Sequence, residues 1–405
     1  MKNIFTILLA IVTFQLQAQT FTNYTVDDGL INNSVNCVAV DADDNVWFGT
    51  QNGISFFDGI SWTNYDTDSH PDLVNDDIKA VAIDNDGNLW FGTDFGISKY
   101  DFTTWTTYTD DDGLADNRVR YINQAPDGKM WFGNNDGVSN FDGTTWTSYV
   151  QADGLPFGGV NHVTFENDGT AWLGTALGGV FIFDGTGFTT ITEEEGLLSD
   201  KIRSIAIAEN NQKWIGSADG ITVLSADNSF LMNHEIIFEL PPPDELNPVE
   251  DVQIDSHGRI WASVYVDYLV TEGGVSMYDG FDWIDYDVED GLVGPVVRRL
   301  AIDTQDNVWV TTSTGVTKIG DVPVAIFEVE IDNGIEIYPN PVSDMLTLQV
   351  PNELKDTPFQ IYNNIGQLVK TGPILNEKMT LEMDFPKGVY ALTINGIYTR
   401  KVVIL

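Results

Sequence analysis

The sequence predicts an all-β chain, a seven-bladed β-propeller followed by a small C-terminal β-sandwich. Three observations carry this expectation: a tryptophan recurring at a period in the forties, four strand-like runs inside each period, and a change of pattern after residue 320. Trp47, Trp90, Trp131, Trp172, Trp214, Trp261 and Trp309 lie 43, 41, 41, 42, 47 and 48 residues apart. A period of that size filled with short strands marks four-stranded blades arranged around an axis.

Along the chain, residues 1–18 come first. A basic Lys2, an apolar run from Ile4 to Phe14 and a small Ala18 before Gln19 have the layout of a secretory signal peptide, so export from the cytoplasm to the periplasm is expected. No cysteine directly follows the apolar run, which argues against a lipid anchor. No later run approaches the ~20 apolar residues of a membrane span. The single cysteine, Cys37, cannot form an intrachain disulfide and reads as a small buried hydrophobe. With 19 Lys+Arg against 61 Asp+Glu, the net charge of −42 opposes nucleic acid and anionic membrane as partners by long-range repulsion.

Residues 19–320 hold the repeats. The second shows its strands plainly at 78–83, 89–93, 96–100 and 105–109, separated by turns rich in Asp and Gly, which tolerate turn geometry. Runs such as 81–83, 205–207 and 300–302 are apolar or small on both faces, as strands covered by neighbouring blades require. Each recurrent Trp fills the wedge that widens between blades away from the axis. The last repeat has three strands and no aromatic fourth. The segment from Phe21 to Tyr24 followed by Asp28-Gly29-Leu30 matches the endings of other blades, so the N-terminal strand is expected to complete blade seven and remove two open edges. Blades five and six are irregular at 230–248 and 264–273, which makes those insertions candidate recognition loops.

The recurring pattern, seen as Asp112-Gly113-Leu114, Asn117 to Val119, Asp84 to Thr93 and Gly96 to Asp101, resembles the two-component regulator propeller repeat. The resemblance covers about residues 21–320. It implies the periplasmic ligand-sensing propellers of hybrid histidine kinases, often tied to polysaccharide use. Within this sequence there is no span, kinase or receiver, so the ligand-binding part of the resemblance is what carries over.

After a linker at 321–334, residues 335–405 resemble the type IX secretion C-terminal sorting domain. The carrying residues are Tyr338, Pro339, Asn340 and Pro341, then Gly366, then Gly388 and Tyr390, then the closing run with Lys401. The resemblance implies the type IX machinery as a partner, export across the outer membrane, and cleavage of the tail during release or surface attachment. The location expected is secreted or outer cell surface. Alternating runs at 345–350, 359–362, 381–383, 389–394 and 399–404 predict the sandwich strands.

Candidate ligand-binding residues come from the scarce cations. Lys79, Arg118, Arg120, Lys201, Arg203, Arg298 and Arg299 all begin inner strands and should gather at one channel mouth. The second inner-strand position reads Asn36, Lys79, Arg120, Asn161, Arg203, Glu250 and Arg298 around the ring. Such a collar inside acidic loops either clamps carboxylate or sulfate groups or pairs sideways and stiffens the ring. Phe95, Phe157, Tyr265 and Tyr268 fall in loops and are candidates to stack on sugar rings.

Asp-x-Asp-Gly turns such as Asp84 to Gly87 lack the distal acid of a calcium loop and read as tight turns, so no metal and no cofactor are expected. His70, His162, His234 and His257 lack metal-ligand spacing, and no nucleophile or phosphate-loop motif is present. The functional expectation is a non-enzymatic binding module, for a glycan. The alternatives are a protein-binding surface scaffold and a polysaccharide lyase or lactonase, for which Tyr121, His162 and Arg299 at the third inner-strand position are the candidates.

Overall fold

The computed structural model describes residues 19–240, 247–267, 271–320, 335–343, 345–355, 357–363, 368–394 and 398–404. Residues 1–18, expected to be a signal peptide, the 321–334 linker, Tyr268 and Gly366 lie outside these residues. Seven four-stranded antiparallel sheets succeed one another along residues 20–320. The innermost strand of each packs against those of its two neighbours, and Val297–Ile302 of blade seven packs against Val35–Val40 of blade one. The sheets therefore form a closed ring.

Local chemistry accounts for each blade. In the turn after the inner strand, the first Asp holds the chain: Asp84 Oδ1 accepts from Asp86 N at 3.1 Å and Asn88 N at 2.8 Å. The left-handed position of that turn is Gly87 (φ +84°), and elsewhere Asp44, Asn211 or Asp306. In the Asp-Gly-Leu motif Gly113 has φ +125° and lies so close to Trp146 that a Cβ would sit 2.7 Å from its Cβ. Only glycine suits that position, and it turns Leu114 into the core, 5% exposed.

The recurrent Trp is the second residue of its strand, as in Leu89–Thr93. Trp90 stacks on Tyr108 of its own blade at 5.8 Å and meets Phe132 of blade three at 5.6 Å. Its indole N–H donates to Asp84 Oδ2 at 2.9 Å, so the ring is buried without an orphaned donor. Trp172 and Trp261 do the same with Glu166 and Asp255.

Thr20–Tyr24 pairs with Val316–Gly320 as the outermost strand of blade seven, in the register Phe21↔Ile319 and Tyr24↔Val316. Tyr24 stacks on Trp309 at 5.8 Å and meets Phe57 of blade one at 5.2 Å. Blade five ends in Phe230–His234, and the residues after it plug the seam to blade six. There Ile237 and Phe238 are buried, and their backbone N–H groups donate to Asn247 Oδ1 at 2.9 and 2.7 Å.

The tail packs a three-stranded sheet against a four-stranded one over a core that includes Leu346, Leu348, Phe359, Ile361 and Leu392. Lys401 of the tail reaches Asp279 of blade six at 2.7 Å, with both side chains largely buried.

Candidate functional site

At the mouth formed by the loops between blades, a β-bulge breaks the alternation of the inner strands. The register shifts between Val35 and Cys37, Val119 and Tyr121, Val160 and His162, Ile202 and Ser204, Val249 and Asp251, and Val297 and Leu300. A bulge leaves its extra residue unpaired and re-aims its side chain. The second-position residues thereby reach sideways across the seams between blades.

Arg298 Nη1 donates to Ser34 Oγ, Val35 O and Asn36 Oδ1 at 3.1, 3.1 and 2.6 Å. Asn36 Nδ2 in turn reaches Ile78 O at 2.8 Å and Asp77 Oδ1 at 3.0 Å, and Lys79 pairs with the same Asp77 at 2.7 Å. Arg120 donates to Gly158 O at 3.0 Å, Asn161 Oδ1 at 2.7 Å and Asn135 Oδ1. Asn161 continues to Ile202 O at 2.9 Å, and Arg203 pairs with Glu250. The collar is thus a belt that ties blade to blade. Burial lowers the pKa of Arg120, Arg203 and Arg298, yet an Arg stays charged.

The third position lies deeper. Asp251 is 2% exposed and joins three blades: Oδ1 accepts from Ser204 Oγ at 2.8 Å and Oδ2 from Leu300 N at 2.9 Å. Arg299 lies 3.9 Å from Asp251, donates to Glu250 O at 2.7 Å, and sits over the Tyr121 ring at 5.8 Å. Tyr121 packs on His162 at 4.0 Å between ring centres. Burial pushes the Tyr121 phenol up and the His162 imidazole well below its ordinary range, so both stay neutral. His162 Nδ1 is buried without a partner. Cys37 is buried too, its thiol pushed up to about 12 by desolvation.

Of the aromatic candidates, Phe95 and Phe157 are exposed, at 61% and 75%. Leu177 joins them at 55%, and an added Cβ on Gly158, next to Phe157, would meet it at 3.4 Å. Sequence reading passed over Leu177 because one leucine in a turn carries no periodic signal. Tyr265 is a correction: it sits inside the strand Ile260–Asp267, paired with Gly273, and is half-buried. The insertion in blade six lengthened two strands into a taller hairpin instead of opening a loop. In the tail, Asn340 clips the motif to the closing strand, donating to Lys401 O at 2.7 Å and accepting from Val403 N at 2.8 Å. Tyr338 and Pro341 are exposed, whereas Tyr390 is buried and donates to Pro386 O at 2.8 Å.

On the opposite face, Asp255, His257 and Asp306 bring ligand-type atoms within 4.8 Å of one another. Asp255 already accepts from His257 N, Arg259 N, Arg259 Nε and Trp261 Nε1. Asp306 accepts from Ser256 N at 2.9 Å and Ser256 Oγ at 2.6 Å and pairs with His257 at 2.9 Å. The cluster serves as a seam between blades six and seven.

These features define a closed propeller with a polar, bulge-lined mouth and an appended two-sheet tail. The chain carries two component regulator propeller repeats, matched at residues 29–52, 72–95 and 113–136. Its tail is a secretion system C-terminal sorting domain, matched over residues 336–405. That domain implies interaction with the type IX secretion machinery and secretion to the cell surface or outside.

Beta-agarase A of Zobellia galactanivorans is 26% identical over 127 residues, a stretch covering 29% of this chain and 23% of that protein. Among solved structures, the extracellular domain of a protein described as a hybrid two component system from B. thetaiotaomicron superposes with a TM-score of 0.62 at 17% identity. That alignment covers 96% of this chain and 55% of the other. PorZ, a surface component of the type-IX secretion system of Porphyromonas gingivalis, gives 0.59 at 17% identity over 92% of this chain and 60% of its own. Virginiamycin B lyase from Staphylococcus aureus gives 0.55 at 15% over 75% and 99%. At these identities the likeness establishes the fold.

Proposed function

We propose that the mature chain is a non-enzymatic extracellular binding module for polysaccharide, carried outward by its sorting domain. The observation that bears most weight is the pair of exposed rings, Phe95 and Phe157, with Leu177, on turns of the mouth face. These turns are held before any ligand arrives: Gly96 N donates to Asn117 O at 2.9 Å, and Gly158 O accepts from Arg120. Flat apolar rings on preformed loops suit the apolar faces of sugars and lose little freedom on binding. The net charge of −42 favours a neutral polymer over a polyanion at long range. The stretch shared with a protein named as an agarase supports a setting of polysaccharide use.

The non-enzymatic reading rests on the third-position residues. His162 is 3% exposed and held neutral by burial, and the Tyr121 phenol stays protonated, able to donate a hydrogen bond but not to act as a base. Affinity electrophoresis against a panel of neutral polysaccharides tests the proposal. Retardation by at least one polymer, lost in a Phe95→Ala/Phe157→Ala double variant, supports it. A blank panel combined with a stable partner pulled from the outer-membrane fraction would replace it with a protein scaffold, and release of unsaturated sugars would replace it with a lyase.

A further inference from the structure

Among the inner strands lies a cavity of about 70 Å³ whose wall includes Cys37, Lys79, Arg120, Tyr121, Asp251 and Arg299. Its charges do not cancel among their own contacts. Lys79 is matched by Asp77 at 2.7 Å and Arg299 by Asp251 at 3.9 Å. Arg120 has only neutral hydrogen-bond partners, on Asn135, Gly158 and Asn161. Asp94, Asp116 and Asp136 act on it only through space, and Asp116 is already bonded to Arg118 at 2.9 Å.

The acceptors near the cavity are engaged as well. Both Asp251 oxygens hold Ser204 and backbone N–H groups of blades six and seven. What the wall presents inward is therefore a surplus of donors: unused guanidinium N–H groups of Arg120 and Arg299, and the phenol of Tyr121. Directly behind Tyr121 lies the buried, unpartnered Nδ1 of His162. A partly desolvated cationic pocket of this kind favours an anion over the neutral water that would otherwise fill it.

We propose that this cavity is a binding site for a small monovalent oxyanion of carboxylate size, held by Arg120 and Arg299 with Tyr121 donating a third hydrogen bond. Size and charge both point to the class: the cavity is small, and Arg120 has no carboxylate among its hydrogen-bond partners, so a single anion of carboxylate size would complete its contacts. The inference goes beyond the glycan reading and stands without it, since it uses the channel wall rather than the exposed rings.

Calorimetric titration of the signal-free full chain with sodium acetate, at constant ionic strength set by chloride, tests it. One saturable site per chain is expected. Arg120→Gln and Tyr121→Phe should each weaken binding by about tenfold or more, the worth of one charge-assisted hydrogen bond. Lys129→Gln, on a turn of the opposite face where its amine pairs with Asp127, should leave it unchanged. Absence of a saturable site, or affinity unchanged from the parent chain in both Tyr121→Phe and Arg120→Gln with unaltered circular dichroism, would overturn the assignment. A second arm uses galacturonate against galactose: competition with acetate by the acid alone identifies a carboxylate delivered on a sugar, and acetate binding without such competition identifies a free anion.

Discussion

The two faces of the ring solve one problem with different chemistry. Both must join seven sheets whose strand pairing stops at each blade's edge. At the mouth, long cationic side chains on bulged positions reach to neutral acceptors of the next blade, as Arg120 does to Asn161 and Arg298 to Asn36. On the opposite face, side chains from the left-handed turn position reach to the preceding blade: Asp44 to Thr304, Asn211 to Glu166 and Asp306 to Ser256. The acids there are saturated by close N–H and O–H donors. Burial alone would raise the Asp306 carboxyl, but the hydrogen bonds from Ser256 outweigh it and hold it below its ordinary value. The mouth turns donors toward a cavity, whereas the unpartnered donors on the other face, Arg259 Nη1 and Trp47 Nε1, are enclosed, so recognition belongs to the mouth.

The ring is most vulnerable where it is closed without chain continuity. Removing residues 19–30 takes away the outer strand of blade seven with Phe21, Tyr24 and Leu30. A loss of roughly 5 kcal/mol or more is expected, on the scale of a whole domain's stability. Denaturant unfolding at unchanged midpoint would refute the closure.

Next in size, Asp251→Ala removes the carboxylate that joins blades five, six and seven. It leaves Arg299 half-buried without its partner, at an expected cost of about 3–5 kcal/mol. A cost below that of an outer-turn acid would show that the mouth belt is not the stronger seam. Arg120→Met, which keeps the stem but removes three bonds to neighbouring turns, is expected to cost about 1.5–3 kcal/mol by the same measurement.

Acid sharpens the contrast further. His162 and His234 are both held below the ordinary 6.5 by burial. The unfolded chain therefore binds protons before the folded one does, and stability falls as pH drops below about 6.5, by at most ~1.4 kcal/mol per pH unit for each group. His162→Phe should flatten the melting temperature measured from pH 7 to 5, leaving the smaller slope due to His234. An unchanged slope would mean that the third-position cluster is open to water. The smallest effect belongs to the turn face: Asp306→Gly keeps the left-handed backbone but loses the Ser256 and His257 contacts, for about 0.5–1.5 kcal/mol.

Much of this was legible in the residues. The tryptophan period set the blade count, and the match between the segment before Leu30 and the other blade endings pointed to the closing strand. The positions of the cations marked the mouth. What the residues did not show was the direction of those side chains. Alternation alone does not show that Arg120 and Arg203 bridge to the next blade, as they do from their bulged positions. Tyr265 was misplaced for a related reason, because an eight-residue strand and a long loop can share one sequence pattern when Gly273 and Gly274 interrupt it.

The sequence by itself determined the architecture, the export tail and the acidic exterior, because periodic burial and turn chemistry are local properties that survive in one dimension. Only the tertiary structure decided which charges are matched. Arg298 and Asn36 lie 262 residues apart in the chain yet share a hydrogen bond, and Arg120 finds neutral hydrogen-bond partners although acidic loops lie close to it in the chain. Ring closure brings distant residues within a few ångströms, and at that range the balance of charge on a cavity wall is set by neighbours that no sequence spacing reveals.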